Sequence, residues 1–358
     1  MKFLGIVSLL LVALNSFGQT KLNSHPDLPG YITLTGDFHV HTDLSDGLVW
    51  PTIRIDEAVR EGIDVIALTD HIEYLPHKDY FQKGMSFNTS YNIAAPHSKD
   101  RNVLLVKAVE ITRPMLTGHF NCLFVDDIDR LDKPDFMSVM EEANNQGAFV
   151  FWNHPGWKTQ QPDGKPKFHA DQEALLKKGW LHGVEFYNLK SSYNFVLDWC
   201  NQRNLTVFSN SDVHEPSSDV WVKSKGEVRP VTLVFAKDRS LAGVKDALKN
   251  GRTLALFHGD SLAGKKEWAE AFFRESVKID APHSEDKDMM WVQVVNKSSV
   301  PYKLTNTNQS TEPKEINIKP DGITLIKVAK STPATQKFVV SNILIGDGKT
   351  LEVELKLK

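Results

Sequence analysis

His39 and His41 stand two residues apart in GDFHVHTDLSDG, with Asp46 just beyond them. In an extended chain, side chains two apart point to the same side, so a His-x-His pair presents two imidazoles to one place. Alone, such a pair is weak evidence, but the theme recurs. IDVIALT runs into Asp70-His71, VKAVEI carries Glu110, His119 opens HFNCLFV, and VFWNHP ends at His154. GVEFYN carries Glu185, and TVFSNSDVH ends in Asp212 and His214. Carboxylates and imidazoles with almost no thiolate select hard to borderline cations such as Mn²⁺, Fe²⁺ or Zn²⁺. The chemistry such a donor set supports is metal-assisted hydrolysis.

These residues need elements that bring them together. The strand candidates are DFHVH, IDVIALT, NVLLVKAVEI, HFNCLFV, GAFVFWN, GVEFYN, LTVFSN and VTLVFA. Helix candidates alternate with most of them: IRIDEAVREG, DFMSVMEEANNQG, DQEALLKKG, SYNFVLDWCNQRN and SLAGVKDALKNG, several closed by Gly or Asn where a C-cap is expected. Apolar strands alternating with helices predict a parallel sheet covered on its outer face, and this many units predict an α/β barrel. In barrels, functional side chains collect at the C-terminal strand ends. Nearly every candidate strand ends, or begins its turn, in a metal-ligand residue type; His119 is the exception, at a strand start.

The barrel is expected over residues 30–264. From 265 to 358 the texture changes to short strands such as WVQVVNKSS, EINIKPDG, ITLIKVAK and LEVELKLK, separated by Asn, Gly and Pro turns. This predicts a small all-β domain, sandwich-like. Residues 1–19, one Lys ahead of an apolar run and then small or polar residues, read as a secretory signal peptide cleaved near Gly18–Gln19. The mature protein is then expected outside the cytoplasm, periplasmic or secreted, with no transmembrane segment. Loss of Lys2 moves the formal charge from −3 to −4, and no basic patch marks nucleic acid as an obligatory partner. Cys122 and Cys200 lie in apolar settings where two buried thiols are at least as well accounted for as a disulfide.

GDFHVHTDLSDG, LTDHIE, AVEIT with GHFNCL, WNHP and SNSDVH resemble, in order, the successive motifs of the PHP phosphoesterase superfamily. The resemblance spans about Thr35 to Phe257 and implies a distorted (β/α)7 barrel with two or three divalent ions (Mn, Fe or Zn). It implies that His39, His41, Glu110 and Asp212 hold one ion, that Glu110 bridges to a second held by His119 and His154, and that Asp46, His71 and His214 hold a third. It also implies a metal-bridging hydroxide as nucleophile. Asp70 and Glu73 take positions suggesting partners that orient an imidazole, and Glu185 is either such a partner or substrate-facing. Arg113 is the nearest basic candidate for a substrate phosphate, and His77 is a candidate acid for the leaving group. Trp50, Tyr74, Trp152 and Trp157 flank the motifs and are candidates for an apolar wall, with plain packing as the alternative.

The chain is similar to exported PHP phosphodiesterases, so a small phosphate ester is the expected substrate, diesters ahead of monoesters. Amidohydrolases also open with His-x-His but expect a carboxylated Lys or paired His where Glu110 stands. An inert barrel whose β domain binds a glycan or another partner is the non-enzymatic alternative.

Overall fold

The computed structural model describes residues 25–80 and 83–358; the expected leader over 1–19 lies outside the described residues. The first half runs β1 (Ile32–Asp37), α1 (Pro51–Glu61), β2 (Val65–Leu68), α2 (Thr89–Asp100), β3 (Leu104–Thr112), β4 (His119–Leu123), α3 (Phe136–Asn145), β5 (Phe149–Trp152) and α4 (Ala170–Lys178). It continues with β6 (Gly183–Asn188), β7 (Ser191–Ser192), α5 (Phe195–Arg203), β8 (Thr206–Asn210), α6 (Ser217–Val220), β9 (Val231–Ala236), α7 (Leu241–Lys249), β10 (Thr253–Phe257), β11 (Ser261–Gly264) and α8 (Lys266–Ser276). The last part is β12 (Val277–Glu285), β13 (Met289–Asn296), β14 (Tyr302–Asn306), β15 (Glu315–Ile318), β16 (Gly322–Ala329), β17 (Thr335–Gly346) and β18 (Lys349–Lys356).

The expected helix ends are visible. Helix α1 has Pro51 in its first turn and Gly62 in the left-handed region beyond its last, and Gly179 and Asn204 close α4 and α5 in the same way. Asp135 and Ser240 cap α3 and α7 by accepting backbone N–H bonds.

The strands run side by side in the order β10-β9-β1-β2-β3-β4-β5-β6-β8. Pairs β1–β2, β2–β3, β5–β6 and β6–β8 are parallel. Against the expected parallel sheet, β4 is antiparallel to both neighbours, and β9 is antiparallel to β1 and β10. For β4 the reason is connection length: six residues join it to β3, too few for the helical crossover a parallel return requires.

The barrel closes where β8 meets β9 and β10, through hydroxyls that bridge the strands. Ser209 N donates to Thr232 Oγ1 (3.0 Å), Thr232 Oγ1 donates to Ser209 O (2.9 Å), Ser209 Oγ to Leu256 O (3.0 Å) and Thr253 Oγ1 to Val207 O (2.9 Å). Inside lie Leu34, Phe38, Val106, Phe149, Phe151 and Phe208, all buried. Gly183 is required there, because a Cβ would sit 2.6 Å from the Phe208 ring and 2.9 Å from Thr206 O.

The segment from residue 265, read as all-β from its start, begins with helix α8, and the strands start at Val277. The signal lay in Ala269, Phe272 and Phe273, an apolar stripe at helical spacing that faces the core. Sheets β12-β13-β16 and β15-β14-β17-β18 form the C-terminal unit, with alternating burial along β13 and β14. Strand β11 pairs in parallel with β17, so barrel and appended domain share one continuous sheet. Both cysteines are buried free thiols. No helix among the described residues is long and apolar enough to cross a membrane.

His182, just before β6, stacks on Phe149 (5.0 Å) and accepts the Val150 N–H at Nδ1 (3.0 Å). Burial, with the charges of Lys249 and Lys245, pushes its pKa down to about 4. The unfolded chain therefore binds a proton that the folded one refuses, and His182 stability is full above its unfolded pKa of ~6.5 and is lost as pH falls toward 4. The expected loss is up to ~3 kcal/mol. Urea unfolding of wild type and His182→Gln at pH 7.5 and pH 5 checks this; the gap between the two proteins should narrow at the lower pH.

Candidate metal centre

The chain leaves β1 still extended, and residues 38–41 run beside 211–214. Asp212 N donates to His39 O (2.8 Å), His41 N to Val213 O (3.1 Å) and Leu48 N to His214 O (2.8 Å). His39, His41, Asp212 and His214 are thus delivered by two strand ends locked together. Glu110 comes from β3, bridged to His71 beyond β2, and His119 opens β4 opposite Thr112. His154 and Asp212 have positive φ, +26° and +51°, a strained conformation for non-glycine residues that persists only where the surroundings enforce it.

All nine residues expected to hold ions converge. Among the described residues three groups have donor atoms close enough to share an ion: His39, His41, Glu110 and Asp212; Glu110, His119 and His154; and His41, Asp46, His71 and His214. Glu110 stands at the centre. Its Oε2 lies 2.8 Å from His39 Nε2 and 3.2 Å from His41 Nε2, and its Oε1 lies 2.8 Å from His119 Nδ1 and 3.7 Å from His154 Nε2. Asp212 Oδ1 is 3.1 and 3.0 Å from the same two Nε2 atoms, and Asp46 Oδ2 is 3.2 Å from His214 Nε2 and 3.5 Å from His71 Nε2.

Two observations show that divalent cations fit. Both ring nitrogens of fully buried His41 lack a hydrogen-bond partner although carboxylate oxygens lie near, so the lone pairs and oxygens aim at shared points rather than at each other. The outer nitrogens of two other rings are fixed as donors: His39 Nδ1 to Glu185 Oε1 (2.9 Å) and His214 Nδ1 to the Asp212 carbonyl (2.9 Å). With a proton held on the outer nitrogen, Nε2 is the atom each ring turns toward the carboxylates, and it is the one that would meet a metal in place of its own proton.

Burial alone would push Glu110 and Asp212 upward, but the facing imidazoles, His39 first, hold both well below the carboxylate range. Asp46 is lowered likewise by His214 and His71 against its own burial. Burial pulls His39 down, yet Asp212, Glu110 and Glu185 together raise it well above the usual histidine value. Burial lowers His119, with Glu110 opposing.

A crystal structure of a two-domain protein from Bacteroides vulgatus, containing a predicted PHP-like metal-dependent phosphoesterase, superposes with a TM-score of 0.88 at 38% identity, over 94% of this chain and 98% of that one. The chain belongs to the PHP-like metal-dependent phosphoesterases. A family model described as an Ig-like domain matches residues 277–356, the C-terminal β unit. A putative metal-dependent phosphoesterase of Bifidobacterium adolescentis aligns at 14% identity, over 60% of this chain and 96% of that one (TM-score 0.43). A lesion-specific endonuclease of Pyrococcus furiosus aligns at 14%, over 65% and 59% (TM-score 0.39). Both likenesses are too remote to bear on this chain's chemistry. The curated proteins contain no match.

Around the phosphoesterase centre the supporting residues differ in part from expectation. Glu185 does orient an imidazole, and its Oε2 also accepts from His154 N (2.7 Å) and Asn188 Nδ2 (2.9 Å). Asp70 does not touch a ring: it accepts from Thr42 N (2.7 Å), Thr42 Oγ1 (2.8 Å) and Ser45 Oγ (2.7 Å), bracing the loop between His41 and Asp46. Glu73 accepts from Thr112 N (3.0 Å) and pairs with Arg113, while Thr112 Oγ1 meets His71 Nδ1 (2.6 Å), so Glu73 acts one residue removed. Arg113 is not presented to a substrate: it is committed to Glu73 and to Lys133 O (3.0 Å). Among the described residues, His77 forms no hydrogen bond or ion pair with any of the nine, and its charge acts on Asp43. Trp152 is buried packing, whereas Trp50, Tyr74 and Trp157 are exposed.

Sequence reasoning missed the residues that clamp the loops. Arg54 of α1, fully buried, donates to His41 O (2.8 Å), Val213 O (3.1 Å), His214 O (2.6 Å) and Glu215 O (2.8 Å), with Glu57 as counter-charge (2.7 Å). Its signal was a charge on the apolar stripe Pro51, Arg54, Ile55, Ala58. Arg229 pairs with Asp37 (2.7 Å) and Glu61 (2.9 Å), and Asp37 accepts from His39 N (3.3 Å) and Ser211 N (3.2 Å). Gln160 reaches His119 Nε2 (2.6 Å) from a loop with no motif around it.

Metal analysis by mass spectrometry of chelated and reloaded protein checks the grouping. Glu110→Ala, which removes the shared carboxylate, should strip more than one ion per chain, and His214→Ala only that of the Asp46 group. Glu185→Gln should keep the stoichiometry and weaken affinity about 10–100-fold.

Proposed function

We propose that this phosphoesterase hydrolyses phosphodiesters in preference to monoesters, using two or three divalent ions held by His39, His41, Asp46, His71, Glu110, His119, His154, Asp212 and His214. The observation that carries the reading is the buried carboxylate of Glu110 inside three overlapping donor groups, with both nitrogens of His41 unsatisfied. Divalent ions held by these residues would supply neutralisation of phosphoryl charge and acidification of an attacking water to near-neutral pKa.

The chain's own groups prepare that site. Glu185 and the Asp212 carbonyl hold a proton on the outward nitrogens of His39 and His214, which leaves Nε2 as the atom each of these rings turns to a cation. Arg54 holds the His41 and His214 backbone, and Asp37 the His39 and Ser211 backbone, through buried charge-assisted bonds. Asp70 keeps the Asp46 loop folded over the centre. Each contact is made before substrate arrives, which is the preorganisation that electrostatic catalysis needs.

Two features favour a diester. Arg54, Arg113 and Arg229, the arginines in contact with the site's framework, are all spent on internal partners, so none is offered to the second charge of a monoester. A cavity of about 770 Å³ lies against Asp70 and His71, lined by Leu44, Leu75, Phe87 and Tyr91 with Lys78 and Lys83 also on its wall, and its size suits an organic ester group.

Metal-stripped protein reloaded with Mn²⁺, Zn²⁺ or Fe²⁺ is assayed on bis-p-nitrophenyl phosphate, p-nitrophenyl phosphate and a p-nitrophenyl carboxylic ester. The expected result is metal-dependent release with a higher kcat/KM for the diester, reduced at least ~100-fold in His39→Ala. Equal or better turnover of the monoester would overturn the diester preference. Turnover of the carboxylic ester alone would overturn the phosphoesterase reading.

A further inference from the structure

Two exposed aromatic side chains stand directly on rings of the centre. Trp157 packs edge-on against His154 (5.3 Å between centroids) and His119 (5.9 Å), and Tyr74 packs edge-on against His71 (6.1 Å). His71 and His119 are 6.2 Å apart, so the two aromatics border the donor cluster at different rings, Trp157 at His119 and His154 and Tyr74 at His71. Both keep much of their surface open, 42% for Trp157 and 53% for Tyr74. Exposed rings of this size in contact with a polar centre leave apolar surface in water that none of the described residues covers.

Their backbones are held in different degrees. Trp157 closes a turn on His154, with Trp157 N donating to His154 O (2.9 Å), and its own carbonyl accepts from Gln160 N (3.0 Å) and Gln161 N (2.7 Å). The adjacent Gly156 lies so close to Tyr193 that a Cβ would fall 2.7 Å from that ring. Trp157 is therefore a preset wall, whereas Tyr74 sits three residues after His71 on the loop that leaves β2.

We infer that Trp157 and Tyr74 determine specificity by stacking planar aromatic ester groups of the substrate, so that the preferred diester carries an aryl or nucleobase-bearing arm. A phosphoryl group held by these residues would carry its ester arms outward, past the exposed rings that border the cluster. Planar groups gain from ring-face contact beyond their apolar area, which separates this inference from a merely greasy rim. The inference rests on the phosphodiesterase reading above.

The test uses anions that mimic a diester but contain no cleavable P–O–C bond: diphenylphosphinate, dicyclohexylphosphinate and dimethylphosphinate. Binding to the metal-loaded full chain is measured by calorimetry and as inhibition of bis-p-nitrophenyl phosphate turnover. Diphenylphosphinate should bind about tenfold tighter than either comparator, and Trp157→Ala should remove most of that ratio, with Trp157→Phe restoring it. Tyr74→Ala should reduce the ratio by a smaller factor, and Ile323→Ala, an exposed residue of the appended domain, should leave it unchanged.

Equal binding of the phenyl and cyclohexyl compounds by a protein that hydrolyses the diester would overturn the stacking inference and leave the proposed function standing. A phenyl preference that survives both Trp157→Ala and Tyr74→Ala would overturn the assignment of these residues. Absence of diester turnover together with absence of phosphinate binding would overturn both readings at once.

Discussion

The structure is organised around a charge buried at its own expense. Glu110 has almost no contact with solvent, and Asp212 and Asp46 join it within the reach of shared imidazoles. Isolated carboxylates in such a place would lose several kcal/mol of hydration each, and like charges so close would repel. Imidazoles compensate in part, because they are polar and available as cations. Divalent ions compensate far better, since each cancels two charges and accepts lone pairs from both residue types. The same arrangement that makes the empty cluster costly makes it selective for cations, and the rest of the fold can be understood as the framework that prevents these donors from moving apart.

That framework is backbone first. His39–His41 and Asp212–His214 continue past β1 and β8 and stay hydrogen-bonded to one another, with Asp212 in a left-handed backbone conformation, so their donors are fixed by main-chain bonds between the two segments. Buried guanidinium groups then fasten them. Arg54 gathers the carbonyls of His41, Val213 and His214 at one point, where five fixed N–H donors match several acceptors that would otherwise be stranded. Arg229 performs the corresponding task below, through Asp37. Such polar networks stabilise only when complete, which ties the positions of the ligand loops to the integrity of the helix that carries Arg54.

The nine donors were legible in the sequence because two independent signals coincided on them: a ligand-type residue, and a place at the end of an apolar strand. His119 lacked the second signal, yet the short antiparallel return of β4 brings its first residue beside the last residues of β3, so a strand start becomes equivalent to a strand end. Asp70, Glu73 and Arg113 were found at the right place with the wrong partners, because motif position reports proximity to the centre and not which of several near groups a flexible side chain will choose. Arg54, Arg229 and Gln160 were illegible for another reason. Their acceptors are mainly backbone carbonyls and distant carboxylates, which leave no trace in residue type. Helix α2 escaped because few of its positions are apolar and it carries Pro96 within it, whereas α8 has a helical apolar stripe that was obscured by the strand-rich sequence following it.

The C-terminal sandwich follows the same logic of unsatisfied groups. Strand β11 would present an open row of backbone donors and acceptors at the edge of the barrel, a template for unwanted pairing. Strand β17 fills that edge in parallel register, and Asn342 Nδ2 donates to Pro301 O (2.7 Å) and to Asp260 O just ahead of β11. Asn201 of α5 donates to Ile345 O (2.9 Å), and Asp347 N to Asp198 of the same helix (3.2 Å), so the sandwich grips the barrel at a second point. Strand β11 in turn supports β10, whose Leu256 carbonyl receives the Ser209 hydroxyl that closes the barrel next to the Asp212 segment. The appended domain is therefore continuous, through three strands and one hydroxyl, with the backbone that carries Asp212.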